Sequence, residues 1–163
     1  MNADEPDIPP GLDLIVDRSG RTEAYYSRSS LPVIDAAAVE WLKNKAAAAG
    51  TARICLHLGK EDPIHSMIIA HAPSGAFVVH KHLTRDEVYH MIEGRLRVTI
   101  YGEDGKPCET KTLGALGSGL PFLCRVRAGA WHSNVPEDGT AVFHESRPGP
   151  FKPADTLTAD RTS

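Results

Sequence analysis

The stretch HKHLTRDEVYHMIEG, residues 80–94, places two histidines and a glutamate within eight positions and ends on a glycine. His80 and His82 are two residues apart, so on a strand both side chains would lie on the same face. Glu87 has the opposite parity on a continuous strand. The four residues before it must therefore form a turn or bend that returns its carboxylate to the histidines. The stretch predicts two strand ends that bring three polar groups together.

The strand that follows the bend also has two distinct faces. Tyr89 shares the face of Glu87, whereas His90 points away and is not expected to contact the histidines. Gly94 then permits a tight connection into the next run, RLRVTIY at residues 95–101. We therefore expect Tyr89 to lie beside the three polar groups and His90 to lie outside.

Working outward, the chain after Gly50 consists of short runs rich in Val, Ile, Leu and aromatic residues. Turn signals such as GKEDP, APSG, GEDGKP and VPEDG separate these runs. Short strands at this spacing, without helical patterns between them, predict an all-β barrel or sandwich.

One helix precedes these strands. Asp35 is a suitable N-cap because its carboxylate can accept from the free amides of the first turn. Residues 36–49 are rich in alanine and lysine, and Gly50 is typical of a helix C-terminus. The sequence therefore predicts a helix over 36–49. Residues 1–32 mix proline, glycine, serine and charge without a period, so we expect a partly ordered arm.

Composition limits the possible functions. The chain has 163 residues, 41% hydrophobic content and a formal net charge of −3, which favours one globular domain and gives no basic footprint for nucleic acid. No apolar stretch approaches the length of a membrane span. The acidic, proline-rich N-terminus lacks the features of a signal peptide, so we expect a cytoplasmic protein that does not bind membranes. The three cysteines fit reduced thiols better than a disulfide framework.

A further histidine lies about fifty residues downstream. His132 follows a glycine turn in RAGAWHSNVP, residues 127–136. In a closed barrel, strands far apart in sequence can face each other, so His132 can meet the earlier cluster. Three imidazoles and one carboxylate would suit a divalent first-row metal with positions left for water or a ligand. The alternative is that these residues are solvated polar side chains at the rim of the barrel and bind no metal.

At these residues the sequence resembles a known superfamily. GAFVVHKHLTRDEVYHMIEG is similar to the first cupin motif, and RAGAWHSNV is similar to the second. The resemblance implies an all-β, cupin-type double-stranded β-helix (a jelly-roll barrel) with the N-terminal α-helix packed outside. It also implies that the metal ligands are His80, His82, Glu87 and His132.

A narrower resemblance covers residues 33–155. The order of helix, ARICLHLG, the two motifs and the terminal FHESRPGPFKP is similar to the WbuC family of cupin-fold metalloproteins. That resemblance marks Arg53, His57 and Glu145 as further site residues, and it implies a role in polysaccharide biosynthesis. Cupin barrels commonly pair, which implies a homodimer. The expected organisation is an arm at 1–32, one cupin domain at 33–155 and a tail at 156–163.

The functional expectation is a metal-dependent enzyme acting on a small polar, carbohydrate-derived substrate. The metal would be one divalent ion of iron, manganese, nickel or zinc. Arg53 and His57 would orient the substrate, and Glu145 or Tyr89 would move protons. Three alternatives stay open: a non-catalytic small-molecule or sugar-binding module with a structural metal, a non-haem iron dioxygenase, and a metal-free barrel that binds other proteins.

Overall fold

Ten strands and one α-helix form the regular structure of residues 8–9, 11–20, 22–75 and 77–159, which the computed structural model describes. The elements in chain order are β1 (Leu14–Asp17), β2 (Ala24–Ser27), α1 (Ala36–Ala49), β3 (Thr51–Cys55), β4 (Ile64–His71), β5 (His80–His82), β6 (Glu87–Tyr101), β7 (Pro107–Gly114), β8 (Leu123–Val126), β9 (Trp131–Pro148) and β10 (Thr156–Thr158), with a short 3-10 turn at Pro153–Asp155 before β10.

Two long antiparallel strands, β6 and β9, join the halves of the barrel. They pair with each other from Val88↔Ser146 to Tyr101↔Trp131. Strand β9 also pairs with β4 and with β5, while β6 also pairs with β7 and β8. Each long strand therefore lies in contact with several shorter ones, and side chains from both reach the same interior.

Strand β4 is buried on both faces, which explains its continuous apolar run. Met67 and Ile69 pack in the interior cluster with Tyr89 and Phe143. Ile68, with the opposite parity, packs instead in the cluster that contains the helix. Burial of both faces accounts for the absence of simple polar alternation in this strand.

Helix α1 covers the outer face of this sheet. Its Leu42 is fully buried and packs with residues of β3 and β4. The Asp35 carboxylate accepts a hydrogen bond from the Ala38 amide at 2.9 Å, which stabilises the first turn. Gly50 ends the helix with φ of 81°, and its amide donates to Ala46 at 2.7 Å. The predicted helix over 36–49 is confirmed.

Gly94 does not connect two strands, as the sequence suggested, but lies inside the continuous strand β6. Its φ is 72°, and an added Cβ would lie 2.5 Å from the carbonyl oxygen of Thr140. The pairing register of β6 and β9 shifts around Glu93. On β9 the same region contains Asp138 and Gly139, both with positive φ. Gly94 is thus needed for a close approach at a bulge.

Segments near both ends of the described part of the chain add strands to the sheet. Within the segment expected to be a partly ordered arm, β2 pairs in parallel with β3, and β1 pairs with β2. Within the segment expected to be a tail, β10 pairs with β5, with Thr156 opposite His82. The domain limits stay predictions. Across the described ranges, no helix has the length and apolar character needed to cross a membrane.

Candidate metal centre

Four side chains converge at one end of the barrel interior, and they are the four that the sequence singled out. The pairing of β5 with β9 sets His80 directly opposite His132. Residues 83–86 bend the chain after β5, as predicted, so that Glu87 returns to the histidines. The potential ligand atoms of His80, His82, Glu87 and His132 all lie within 4.8 Å of one another. We call these four residues the His/Glu cluster.

The three imidazoles share an orientation that leaves Nε2 available. Each places Nδ1 beside an oxygen that can accept a hydrogen bond. These acceptors are the carbonyl of Val78, 3.0 Å from His80, the carbonyl of Ala130, 2.9 Å from His132, and Oγ1 of Thr156, 2.9 Å from His82. A proton held on Nδ1 leaves the Nε2 lone pair directed into the cluster, as in histidines that bind metals.

The contact between His82 and Glu87 tests whether a metal fits. Nε2 of His82 lies 2.7 Å from Oε1 of Glu87. Nevertheless, this buried nitrogen has no hydrogen-bond partner in the part of the chain that the structure describes. Nε2 of His132 lies 3.3 Å from Oε2 of the same carboxylate. A cation among these atoms would satisfy the unpaired nitrogen, so the donor set fits a divalent metal bound by nitrogen and oxygen.

Two neighbours fix the position of Glu87. The Tyr89 hydroxyl donates to Oε2 at 2.6 Å, and Nη1 of Arg147 donates to Oε1 at 2.8 Å. Burial disfavours the charged carboxylate, but contacts with His132, His82 and Arg147 outweigh it and hold the pKa of Glu87 well below its usual range. Burial and the charge of Glu87 raise the pKa of Tyr89 well above its usual value. Tyr89 therefore stays protonated and orients the carboxylate.

The protonation state of His80 suits metal binding, whereas at His132 the contact with Glu87 outweighs burial and raises the pKa. Burial, together with the charge of His132, lowers the pKa of His80 to about 4. His80 is therefore neutral at pH 7, which is the form of imidazole that binds metals.

A cavity of about 390 Å³ adjoins the cluster. Arg53, Glu145 and Arg147 supply charge to its wall, and Met67 and Phe77 supply apolar surface. Arg53 lies on β3, and in the described residues it has no carboxylate partner within 4 Å. Its guanidinium lies beside the Cys55 thiol and also lines this cavity, where it can meet a ligand.

Glu145 is the titratable group of the wall that is most suited to proton transfer. Its side chain is buried, and burial together with the charge of Glu87 raises its pKa to about 7. Nη1 of Arg147 lies 3.4 Å from Oε1 of Glu145. A carboxyl with this pKa can both accept and donate a proton near neutral pH.

The structure does not bring His57 to this cavity. Strand β3 ends at Cys55, so strand alternation does not extend to His57. Its ring stacks on His65 instead, with centroids 4.2 Å apart, and it lines a separate surface pocket. His90, predicted to point away from the cluster, is exposed and contacts Phe122.

Two residues whose side chains contact the cluster, Arg147 and Thr156, were not expected from the sequence. Arg147 follows Glu145 by two positions on β9, on the same face as Phe143. This alternation was a usable signal, but the following proline and glycine suggested a loop. Thr156 gave no signal, because its contact with His82 depends on the pairing of β10 with β5.

Comparison with known proteins adds information on the fold. The profile of a domain of unknown function, DUF6016, matches residues 34–113. No curated protein matches the chain. Oxalate oxidase in complex with the substrate analogue glycolate aligns with a TM-score of 0.50 and 18% identity, over 66% of this chain and 54% of that chain. Recombinant oxalate oxidase in complex with glycolate gives the same values.

A structure of Bacillus subtilis oxalate decarboxylase, studied for its Mn(II) centres, aligns with a TM-score of 0.46 and 22% identity, over 60% of this chain and 24% of that chain. The chain thus spans about half the length of the oxalate oxidases and a quarter of the decarboxylase. The likeness to oxalate oxidase concerns the fold, and it confirms the predicted class: a mostly β, cupin-type barrel with a helix packed on its outside.

Proposed function

We propose that this cupin-fold protein binds one divalent transition metal through His80, His82, Glu87 and His132. The observation that carries the proposal is the unpaired, buried Nε2 of His82 beside the Glu87 carboxylate. The common orientation of the three imidazoles supports it. Iron, manganese, nickel and zinc all accept such a donor set.

We further propose that the metal centre acts on a small polar substrate held in the adjoining cavity. A metal at this site would supply Lewis-acid or oxygen-activating chemistry. Arg53 would bind a carboxylate or phosphate of the substrate through its guanidinium. Glu145 would hold or release a proton, because its buried carboxyl lines the cavity beside the cluster. Tyr89 and Arg147 would keep Glu87 in place.

The substrate class in this proposal is a carbohydrate derivative. Its support is the resemblance to the WbuC family, which also suggests a role in polysaccharide biosynthesis. Isomerase, lyase or hydrolase chemistry is preferred over dioxygenase chemistry. A homodimer and a cytoplasmic location stay predictions from the sequence.

Elemental mass spectrometry tests the metal proposal directly. Protein purified without an affinity tag or chelator is expected to carry about one equivalent of a divalent transition metal, as four ligands at one centre imply. Protein that holds no metal and takes up none on titration would contradict the proposal. Iron as the native metal would strengthen the dioxygenase alternative.

A non-catalytic module with a structural metal is the second candidate. Its support is burial, since His82, Glu87 and His132 are all at most 4% exposed. Azide added to cobalt-substituted protein separates the two candidates. A change in the cobalt absorption spectrum would indicate an open coordination position, as catalysis needs, whereas an unchanged spectrum would favour a closed structural site.

A further inference from the structure

A second cavity, of about 520 Å³, lies between the start of β6 and the adjacent ends of β4 and β9. Its wall includes Ile64, Thr84, Arg85, Val88, Arg125 and Arg147. We call it the arginine pocket. Val88 lies on the opposite face of β6 from Glu87 and Tyr89, so this part of the wall is separate from the barrel interior that holds the His/Glu cluster.

Arg85 is the unusual residue of this pocket. Its side chain is only 4% exposed. Nη1 and Nη2 are buried and have no hydrogen-bond partner among the described residues. Nε lies 2.8 Å from Oδ2 of Asp155, but this pair also lacks hydrogen-bond geometry. A buried guanidinium with unpaired donors is costly, so an acceptor from outside the described chain is expected.

The neighbouring carboxylates do not reach Nη1 or Nη2 of Arg85, although Oδ2 of Asp155 lies beside Nε. Asp155 accepts hydrogen bonds at Oδ1 from the amide and the hydroxyl of Thr84, at 2.9 and 2.6 Å. Asp86, which also lines the pocket, pairs with Arg125. Burial and the charge of Arg147 lower the pKa of Arg85, which is the effect expected where positive charge is incompletely balanced.

Arg147 contributes a second unpaired donor at this wall. Its Nη1 contacts Glu87 and Glu145, but its buried Nε has no hydrogen-bond partner in the ranges that the structure describes. Both arginines of this pocket therefore have hydrogen-bond donors for which the described residues provide no acceptor.

We propose that the arginine pocket binds a small oxyanion, namely the carboxylate or phosphate group of a small molecule, through Nη1 and Nη2 of Arg85. The planar fork of a guanidinium matches the paired oxygens of either group. The anion would satisfy the buried donors and balance the charge. The proposed contacts are made by Arg85 and not by a residue of the His/Glu cluster.

Isothermal titration calorimetry with inorganic phosphate and with acetate tests the inference. Both chelator-treated and metal-loaded protein are titrated, so that failure of the metal proposal leaves this test intact. Saturable binding of one anion is expected in both preparations. Tighter binding of phosphate would assign a phosphoryl ligand, and tighter binding of acetate would assign a carboxylate.

Variants assign the binding to Arg85. Arg85→Gln should weaken it by about tenfold or more, because a charged hydrogen-bonding partner is lost. Arg85→Lys keeps the charge but not the planar fork, so its affinity for the anion should lie between those of the wild type and Arg85→Gln. Arg95→Gln is the matched control, since Arg95 is exposed and pairs only with Asp138 among the described residues. The Arg95→Gln protein should bind the anion with wild-type affinity.

Removal of Arg85 leaves Asp155 without its cation, which can destabilise the fold. Val88→Glu avoids this change, and it should abolish binding by placing a carboxylate in the pocket. Absence of saturable binding of either anion to the wild-type protein would overturn the inference. Wild-type affinity in the folded Arg85→Gln protein, or in Val88→Glu, would overturn it equally.

Discussion

Two groups of histidines in this protein lie close together, but they are arranged differently. In the His/Glu cluster the ring planes of His80 and His132 are inclined at 53°, and their Nε2 atoms are directed inward. In the second group, which we call the stacked histidine pair, the rings of His57 and His65 are nearly parallel at 8°. Proximity alone therefore does not make a metal site.

The ring nitrogens explain the difference. In the stacked histidine pair, Nδ1 of His57 lies 3.1 Å from the carbonyl of Ser66, and Nε2 of His65 lies 3.1 Å from the carbonyl of Lys60. The two histidines thus use different nitrogens, and within the described ranges they do not belong to any group of three or more converging metal-ligand side chains. In the His/Glu cluster all three histidines use Nδ1 for protein contacts, which leaves three Nε2 atoms beside Glu87.

Burial alone does not separate the two groups, although the contact with Glu87 raises the pKa of His132. Burial lowers the pKa of both His65 and His80 to about 4. Both residues are neutral at pH 7. The distinguishing features are the shared orientation and the carboxylate, and the following experiments test this distinction.

The largest effect is expected from removal of a proposed ligand. His132→Ala should lose most of the bound metal, with affinity reduced by more than the roughly 10–100-fold typical of changes to residues behind the ligands. His57→Ala should retain the metal. Elemental mass spectrometry of the purified variants, with competition by a chelator, measures both.

His90→Ala is the matched control for this comparison, because His90 is exposed on the opposite face of β6. It should also retain the metal. If His57→Ala or His90→Ala loses as much bound metal as His132→Ala, the proposed distinction between the histidine groups is wrong.

A smaller effect is expected from the residue that orients His82. Thr156→Val removes the oxygen beside Nδ1 and should weaken metal affinity by roughly 10–100-fold while the fold persists. Thr158→Val is the control, since Thr158 lies on the same strand and lines the same cavity. Chelator competition measures the affinities, and equal affinities in the two variants would contradict the role of Thr156.

The smallest effect concerns acid stability of the stacked histidine pair. The pKa of His65 is about 4 in the folded protein, against about 6.5 in the unfolded chain. The unfolded chain therefore binds more protons between these values, and stability is lost as the pH falls from about 6.5 to 4. In chelator-treated His65→Gln, this loss should be smaller than in the wild type.

Urea unfolding at several pH values measures the slope of the free energy of unfolding against pH. Thr158→Val is the control, because it neither adds nor removes a titratable group. A slope in His65→Gln equal to that of the wild type would show that burial of His65 does not contribute to acid sensitivity.

Much of the architecture was predictable because local patterns determine it. The Asp35 cap, the alanine-rich run and Gly50 specified the helix, and parity specified the relative faces of Glu87, Tyr89 and His90. The convergence of His80 and His132 was inferred from the expected closed barrel and from the resemblance to cupins, since residues fifty positions apart carry no local signal of contact.

The remaining features depend on long-range pairing. His57 was expected at the cavity from the resemblance to the WbuC family, but β3 ends two residues before it. Arg147 and Thr156 were missed because strand pairing, rather than local sequence, brings them to the cluster. Arg85 was missed for a related reason: its burial depends on Asp155, seventy positions away.

The irregular segment of β9 has a consequence for insertions and deletions in the gene. His132 and Glu145 are separated by an odd number of positions, yet both reach the barrel interior, because the register shift near Asp138 and Gly139 compensates for their parity. Loss of one codon between His132 and this segment would move the residues on one side of the deletion to the opposite face of β9. Length changes should therefore be tolerated less well in the regular parts of β9 than within the bulge.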